Sequence, residues 1–172
     1  SFLAPYKRTD LVIQAFNEMP HRRLVVVGEG QQSASLRALA GKNVSFTGYL
    51  PRQEYVRNVA EARALVFAGC EDFGIALAEA QACGTPLIAF ARGGAADIVR
   101  RLGVADQPTG VLFERQTVAA VKEAVEHFEI HRESITPAAC WQNALRFSAD
   151  RFRREIQSSF DTTMRIHADG WN

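Results

Sequence analysis

Residues 63–90 read RALVFAGCEDFGIALAEAQACGTPLIAF, and three regimes follow one another in them. RALVFAG (63–69) and PLIAF (86–90) are short, almost wholly apolar runs, which is how strands buried on both faces read. Residues 74–83 between them carry small and apolar side chains at helical spacing, and Gly84 follows as a stop signal. A strand, a helix and another strand in so short a stretch predict a right-handed crossover between two parallel strands.

The same alternation extends in both directions. LVVVG (24–28), NVSFTG (43–48) and GVLF (110–113) are further runs of strand type. Helical patterns occupy 9–19, 33–40, 52–62, 94–102 and 117–129, with Thr9 and Thr117 as N-caps and Gly41, Gly84 and Gly103 as stops. After Thr136 the pattern is purely helical to about His167, which predicts one or two helices packed on the outside. The expected fold is doubly wound α/β with a parallel, Rossmann-like sheet covered on both sides. One domain is expected over residues 1–172, an α/β core at 1–130 followed by terminal helices at 131–172. The opening SFLAPYKRTD begins on a loop and a helix where a sheet of this type begins on a strand. The first strand is therefore expected to be missing, and Ser1 to be a cut end within a larger protein.

Composition narrows the function classes. With 172 residues, 47% hydrophobic and 23% charged, the chain suits a globular domain with a full-sized core. A net charge of +1 supplies no field for holding nucleic acid, and only RFRRE (151–155) concentrates basic residues. Cys70, Cys83 and Cys140 have no metal-ligand spacing and suit reduced thiols in the cytoplasm. No Asp-x-Asp pair is present, and no apolar run approaches the ~20 residues of a membrane span. His21, His127, His131 and His167 lie outside the candidate ligand loops and read as surface or packing residues. No metal or cofactor is expected.

In an open parallel sheet, ligands bind where loops leave the carboxyl ends of the strands. The GEG loop (28–30) after LVVV would let backbone approach a phosphate closely at Gly28 and Gly30, although a plain strand-to-helix turn reads the same way. The loop GCEDFGI (69–75) leads into a helix, so the amides of about Phe73, Gly74 and Ile75 lack helical acceptors and form an anion site suited to a diphosphate. At ~1.5 Å per residue, Glu79 lies about 7 to 8 Å along the helix from Gly74, roughly the reach from a phosphate to its ribose. There a carboxylate could accept from two vicinal hydroxyls. Glu71 would then face whatever the phosphates carry, a sugar being the natural candidate. The plainer alternative is that Glu71 and Asp72 favour the positive end of the helix while Glu79 sits on a solvated face.

The stretch EDFGIALAEAQACGTPLIAF resembles the paired-carboxylate signature of retaining glycosyltransferases of family 4, which have the two-domain GT-B architecture. PYKRTDLVIQAF, LVVVGEG, NVSFTGYLP, GGAADIV and TGVLF follow in the order found in the carboxy-terminal, donor-binding half of such enzymes. The resemblance covers residues 1 to about 130. It implies that Glu71 binds hydroxyls of the transferred sugar, that Lys7 contacts the diphosphate and steadies the departing nucleotide, and that these two carry the catalysis. By the same resemblance Gly28, Gly30, Asp72, Phe73, Gly74 and Ile75 would surround the sugar diphosphate. Glu79 would bind the ribose, and Tyr49 and Leu50 would lie along the base. The substrate is then a nucleoside diphosphate sugar, with no metal.

PYKR, EDFGI and EAQACG look most like bacterial mannosyltransferases that use GDP-mannose to build lipopolysaccharide or exopolysaccharide, with UDP-glucose and UDP-GlcNAc as other donors. The acceptor, a glycan or lipid-linked sugar, would be met by an amino-terminal domain not contained in these residues, in the cytoplasm or at the inner face of the membrane. The isolated chain would then bind donor without transferring it. Two departures stand out. Phe2 occupies the place where the family usually carries an arginine, and Asp97 follows the glycine pair where a glutamate is usual. A GT-B-like sugar-nucleotide epimerase and a noncatalytic nucleotide-binding module are the competing readings.

Overall fold

The computed structural model describes residues 2–169, with side chains to residue 164. Ser1, residues 170–172 and the side chain of His167 lie outside the described residues. The elements run α1 (Thr9–Asn17), β1 (Leu24–Val27), α2 (Ser33–Leu39), β2 (Val44–Gly48), α3 (Arg52–Ala60), β3 (Leu65–Phe67), α4 (Ile75–Ala82), β4 (Leu87–Phe90), α5 (Gly94–Ile98), β5 (Gly110–Phe113), α6 (Val118–His131), α7 (Pro137–Ala144) and α8 (Ala149–Asp169). The described strand pairings are all parallel, as crossover helices require.

The strands form two sheets. β1 pairs with β2, with Leu24 opposite Val44 and Val26 opposite Phe46, while β4 lies between β3 and β5. Among the described residues, β1 and β3 each have a strand partner on one side only. Residues 3–7 cross between the carboxyl ends of these two strands. The Leu3 N–H donates to the Glu29 carbonyl after β1 at 2.9 Å, and Gly69 after β3 backs against the backbone of Tyr6 and Lys7.

β4 is the strand that the alternating pattern describes best. Ile88 points to a core layer built from Leu11, Phe16, Val121 and Val125 of α1 and α6. Leu87 and Ala89 point to the opposite layer, with Leu77, Ala80, Ala95 and Ile98 of α4 and α5. The run LVVV differs: Val26 is buried beside Leu3, Ile13 and Leu36, but Val25 is 50% exposed. An apolar run alone does not distinguish a strand covered on both faces from one covered on a single face.

Other local expectations are corrected. Thr117 does cap α6, accepting from the Ala120 N–H, whereas Thr9 is the first helical residue of α1 and Arg8 precedes it at φ 51 with no side-chain cap. The helix expected over 94–102 stops at Ile98. Thr109 takes over the next residues through its own hydroxyl and backbone, both bonded to Arg100, and Arg101 bridges to Gly110. Of the two terminal helices only α7 packs inside. α8 presents Phe152, Ile156, Phe160 and Met164 to solvent, contrary to the expected outer packing.

A buried polar cluster fixes α7 to α4. Asn143 Nδ2 donates to Gln81 Oε1 at 3.0 Å and to the Ile98 carbonyl at 2.7 Å. Gln81 Nε2 donates in turn to the carbonyls of Thr85 and Thr109, and the Thr85 hydroxyl donates to the Val59 carbonyl. Every member has a partner, which is what makes such a cluster stabilising rather than costly.

Candidate functional site

Apart from Lys7, which precedes α1, each predicted site residue lies just past the carboxyl end of a strand or on the helix that follows. Lys7 and Glu71 are brought together: Nζ and Oε1 are 3.1 Å apart, with side chains only 14% and 20% exposed. Lys7 arrives on the short turn Pro5–Lys7, and Glu71 on the loop after β3. Gly69 packs closely against the backbone of this turn, since a Cβ there would lie 2.7 Å from the Lys7 Cα. The Lys7 ammonium also lies over the Tyr6 ring, 5.8 Å from its centre.

The loop holding Glu71 is seated on the glycine pair after β4. The Gly94 N–H donates to the Glu71 carbonyl at 2.8 Å, and a Cβ at Gly94 would lie 1.8 Å from the Phe73 carbonyl oxygen. Only glycine admits that approach. Gly74 caps α4, and Leu77 and Ala78 both donate to its carbonyl. The amides of Ile75 and Ala76 thus precede the first bond of the helix ladder and can receive an anion from outside it. Asp72 and Ile75 are exposed there, while Phe73 turns its ring edge-on to Phe147, 5.6 Å between centres.

The loop after β1 is tied differently from expectation. The Gly28 N–H donates to the Gly48 carbonyl, joining it to the loop that carries Tyr49 and Leu50. The side of Gly30 where a Cβ would stand is filled by the Leu3 backbone at 2.5 Å, so its lack of a side chain serves packing there. Tyr49 is exposed and Leu50 half-buried. Phe2 is exposed, and Asp97 stands exposed in the first turn of α5.

Glu79, on the second turn of α4, is neither wholly solvated nor buried. Its Oε1 lies 3.2 Å from Arg52 Nη1. Burial first, and then the Glu79 charge, push the Tyr55 phenol up to about 12. The Cys83 thiol, one turn beyond Glu79, is raised by burial and by the same carboxylate. Arg52 and Tyr55 went unnoticed in the sequence, although their spacing along the helix after the NVSFTGYLP motif puts both on one face. Among the described residues no three His, Cys, Asp or Glu side chains are grouped to hold a metal ion.

Parallel strands joined by crossover helices define a Rossmann-like α/β protein, with a group of charged side chains beyond the carboxyl ends of its strands. Residues 2–146 match the family described as Glycosyl transferases group 1, and the chain belongs to that family. One relative is the GDP-mannose-dependent monoacylated alpha-(1-6)-phosphatidylinositol monomannoside mannosyltransferase of Corynebacterium glutamicum. It is 33% identical over 138 residues, covering 72% of this chain and 35% of that protein. Another is the D-inositol 3-phosphate glycosyltransferase of Mycobacteroides abscessus, 28% identical over 169 residues, covering 92% of this chain and 37% of that protein. The chain thus spans little more than a third of these relatives. The crystal structure of Anabaena HepE in complex with UDP-glucose shares the fold with a TM-score of 0.76 at 19% identity, over 94% of this chain and 47% of that one. Sucrose-phosphate synthase from Thermosynechococcus elongatus gives 0.77 at 21% identity, over 95% and 44%. No described helix is long and apolar enough to cross a membrane.

Proposed function

We propose that this chain is the donor-binding half of a retaining glycosyltransferase of family 4, one that transfers a hexose, mannose from GDP-mannose, to a glycan or lipid-linked acceptor in polysaccharide biosynthesis. The observation that carries the reading is the enclosed Lys7–Glu71 pair at the mouth of the loop before α4. A shielded cation beside an uncommitted helix N-terminus is a place for a diphosphate, and the carboxylate beside it is a place for hydroxyl donors. The relative from Corynebacterium glutamicum, named as GDP-mannose-dependent, supports mannose as the sugar.

In this reading the donor's distal phosphate meets the amides at Phe73, Gly74 and Ile75, and Lys7 turns from Glu71 toward the diphosphate. The charge that develops on the departing nucleotide then faces a preorganised cation in a partly enclosed site. Glu71 accepts from hydroxyls of the sugar and Glu79 from the ribose. Gly28, Gly30, Asp72, Tyr49 and Leu50 complete the donor's surroundings. Catalysis consists of positioning and charge stabilisation, without a protein nucleophile or a metal. The acceptor site belongs to another domain of a longer protein, so this chain binds donor and transfers nothing by itself. Its three free thiols support a reducing, cytoplasmic setting.

Calorimetric titration with GDP, GDP-mannose, UDP and UDP-glucose tests the reading. Guanine-nucleotide binding that weakens at least tenfold in Glu79→Ala and is lost in Lys7→Ala is the expected result. A preference for uridine nucleotides would retain the site and reject mannose. Binding untouched by either substitution would reject the site.

A further inference from the structure

Lys7 and Glu71 hold each other in a site where each is assigned a different part of the same ligand. The Glu71 side of the pair is seated: the Gly94 N–H donates to the Glu71 carbonyl at 2.8 Å, and a Cβ at Gly93 would lie 2.2 Å from that carbonyl oxygen. The Lys7 side is a flexible four-carbon stem ending in a compact charge, so the ammonium is the part that can swing. Its place in the structure is 3.1 Å from Glu71 Oε1, with both side chains mostly enclosed. Enclosure is what gives such a pair weight. A charge that loses its partner in a partly dry site keeps its desolvation cost and forfeits the attraction that offset it.

We propose that Glu71 makes the site prefer the sugar nucleotide over the spent nucleoside diphosphate, by taking Lys7 back whenever no sugar occupies the carboxylate. The proposal rests on the reading of Lys7 as the diphosphate contact and Glu71 as the sugar contact. With the intact donor bound, hydroxyls of the hexose donate to Glu71 and satisfy its oxygens while Lys7 turns to the diphosphate. With the nucleoside diphosphate alone, Lys7 must leave the carboxylate without its cation, and that carboxylate then stands near a second anion. Both effects oppose binding. The ion pair thereby helps to expel the product. Affinity for the diphosphate and occupancy of the sugar position are coupled through one charge, and such coupling acts equally in both directions.

The test titrates the whole chain with GDP against GDP-mannose and UDP against UDP-glucose, as wild type, Glu71→Gln, Glu71→Ala and Lys7→Ala, with circular dichroism confirming that the variants fold. In the series that binds, wild type should favour the sugar nucleotide. Glu71→Gln keeps the shape and an acceptor oxygen but not the charge. It should bind the diphosphate about tenfold more tightly, within the range usual for coupled sites, and the sugar nucleotide no more tightly. Glu71→Ala should show the same gain for the diphosphate together with a loss for the sugar nucleotide, and Lys7→Ala should lose both. If wild type shows no preference, or neither Glu71 variant tightens the diphosphate, or both ligands tighten alike, while Lys7→Ala still loses them, the proposal falls and the site reading stands. If no nucleotide binds wild type, or Lys7→Ala binds it unchanged, the site reading falls and takes the proposal with it.

Discussion

The two halves of the molecule bring different physics to the same site. In the half built on β3, β4 and β5, Leu87, Ile88 and Ala89 are at most 1% exposed, and the Gln81–Asn143 cluster ties α4 to α7. In the half built on β1 and β2, one valine in the middle of a strand is 50% exposed, and the connection to the rest runs through α1 and residues 3–7. Glu71 and Glu79 stand on the first half, and Lys7, Gly28, Gly30 and Tyr49 on or beside the second. The lesson is that the carboxylates and the amides before α4 stand on a scaffold buried on both faces, whereas Lys7 and the loop after β1 stand on or beside a thinner one.

The sharpest way to break this contrast is Gly94→Ala. The added methyl would overlap the Phe73 carbonyl, so the Glu71 loop must leave its seat, at a cost on the order of 4 kcal/mol or more. A chain that no longer gives a cooperative thermal transition is the expected result. Asn143→Leu comes next. It strips Gln81 Oε1 and the Ile98 carbonyl of their donor in a dry interior, and urea unfolding should show a loss of about 2 to 4 kcal/mol. The matched change in the other half, Val25→Thr, should stay within about 0.5 kcal/mol, since the side chain already meets water. Equal losses from Asn143→Leu and Val25→Thr would abolish the distinction between the halves.

The thiols offer a gentler probe. Cys70 is exposed, Cys83 is half-buried with a raised pKa, and Cys140 is buried with its thiol pushed up to about 11 by burial. A chromogenic disulfide at neutral pH should therefore titrate Cys70 first, Cys83 more slowly and Cys140 only on unfolding. The raised pKa values also set the sign of the alkaline response. The stability linked to Cys140 is complete below its ordinary value of 9.0 and is lost as pH rises through about 11. For Tyr55 the window runs from 10.0 to about 12, so Tyr55→Phe should flatten the upper part of the stability profile above pH 10.

Much of the architecture was legible in the sequence because it depends on short-range pattern. PLIAF and GVLF became strands within a residue of expectation, and Thr117 capped α6 through the bond its side chain chemistry favours. The parallel pairing followed from the crossover helices. What escaped depends on residues far apart in the chain. The early end of α5 follows from the bonds of Thr109 to Arg100, and the exposure of Val25 from a sheet face that no described helix covers. In the site, Glu71 in the loop before α4 and Glu79 on α4 could be picked out by their spacing about the helix start. The contact of Lys7 with Glu71 joins residues that β1, β2 and β3 separate in the chain, and the resemblance implied each residue's role without revealing their pairing. Arg52 was overlooked because an arginine at a helix start reads as solvated, and only the fold brings it to Glu79.

β1 and β3 each lack a strand neighbour on one side among the described residues, so their unpaired N–H and C=O groups are a template for a further strand. An extended, valine-rich peptide added in excess should therefore raise the thermal midpoint of the chain by pairing there, and a midpoint that stays put would show those groups already engaged.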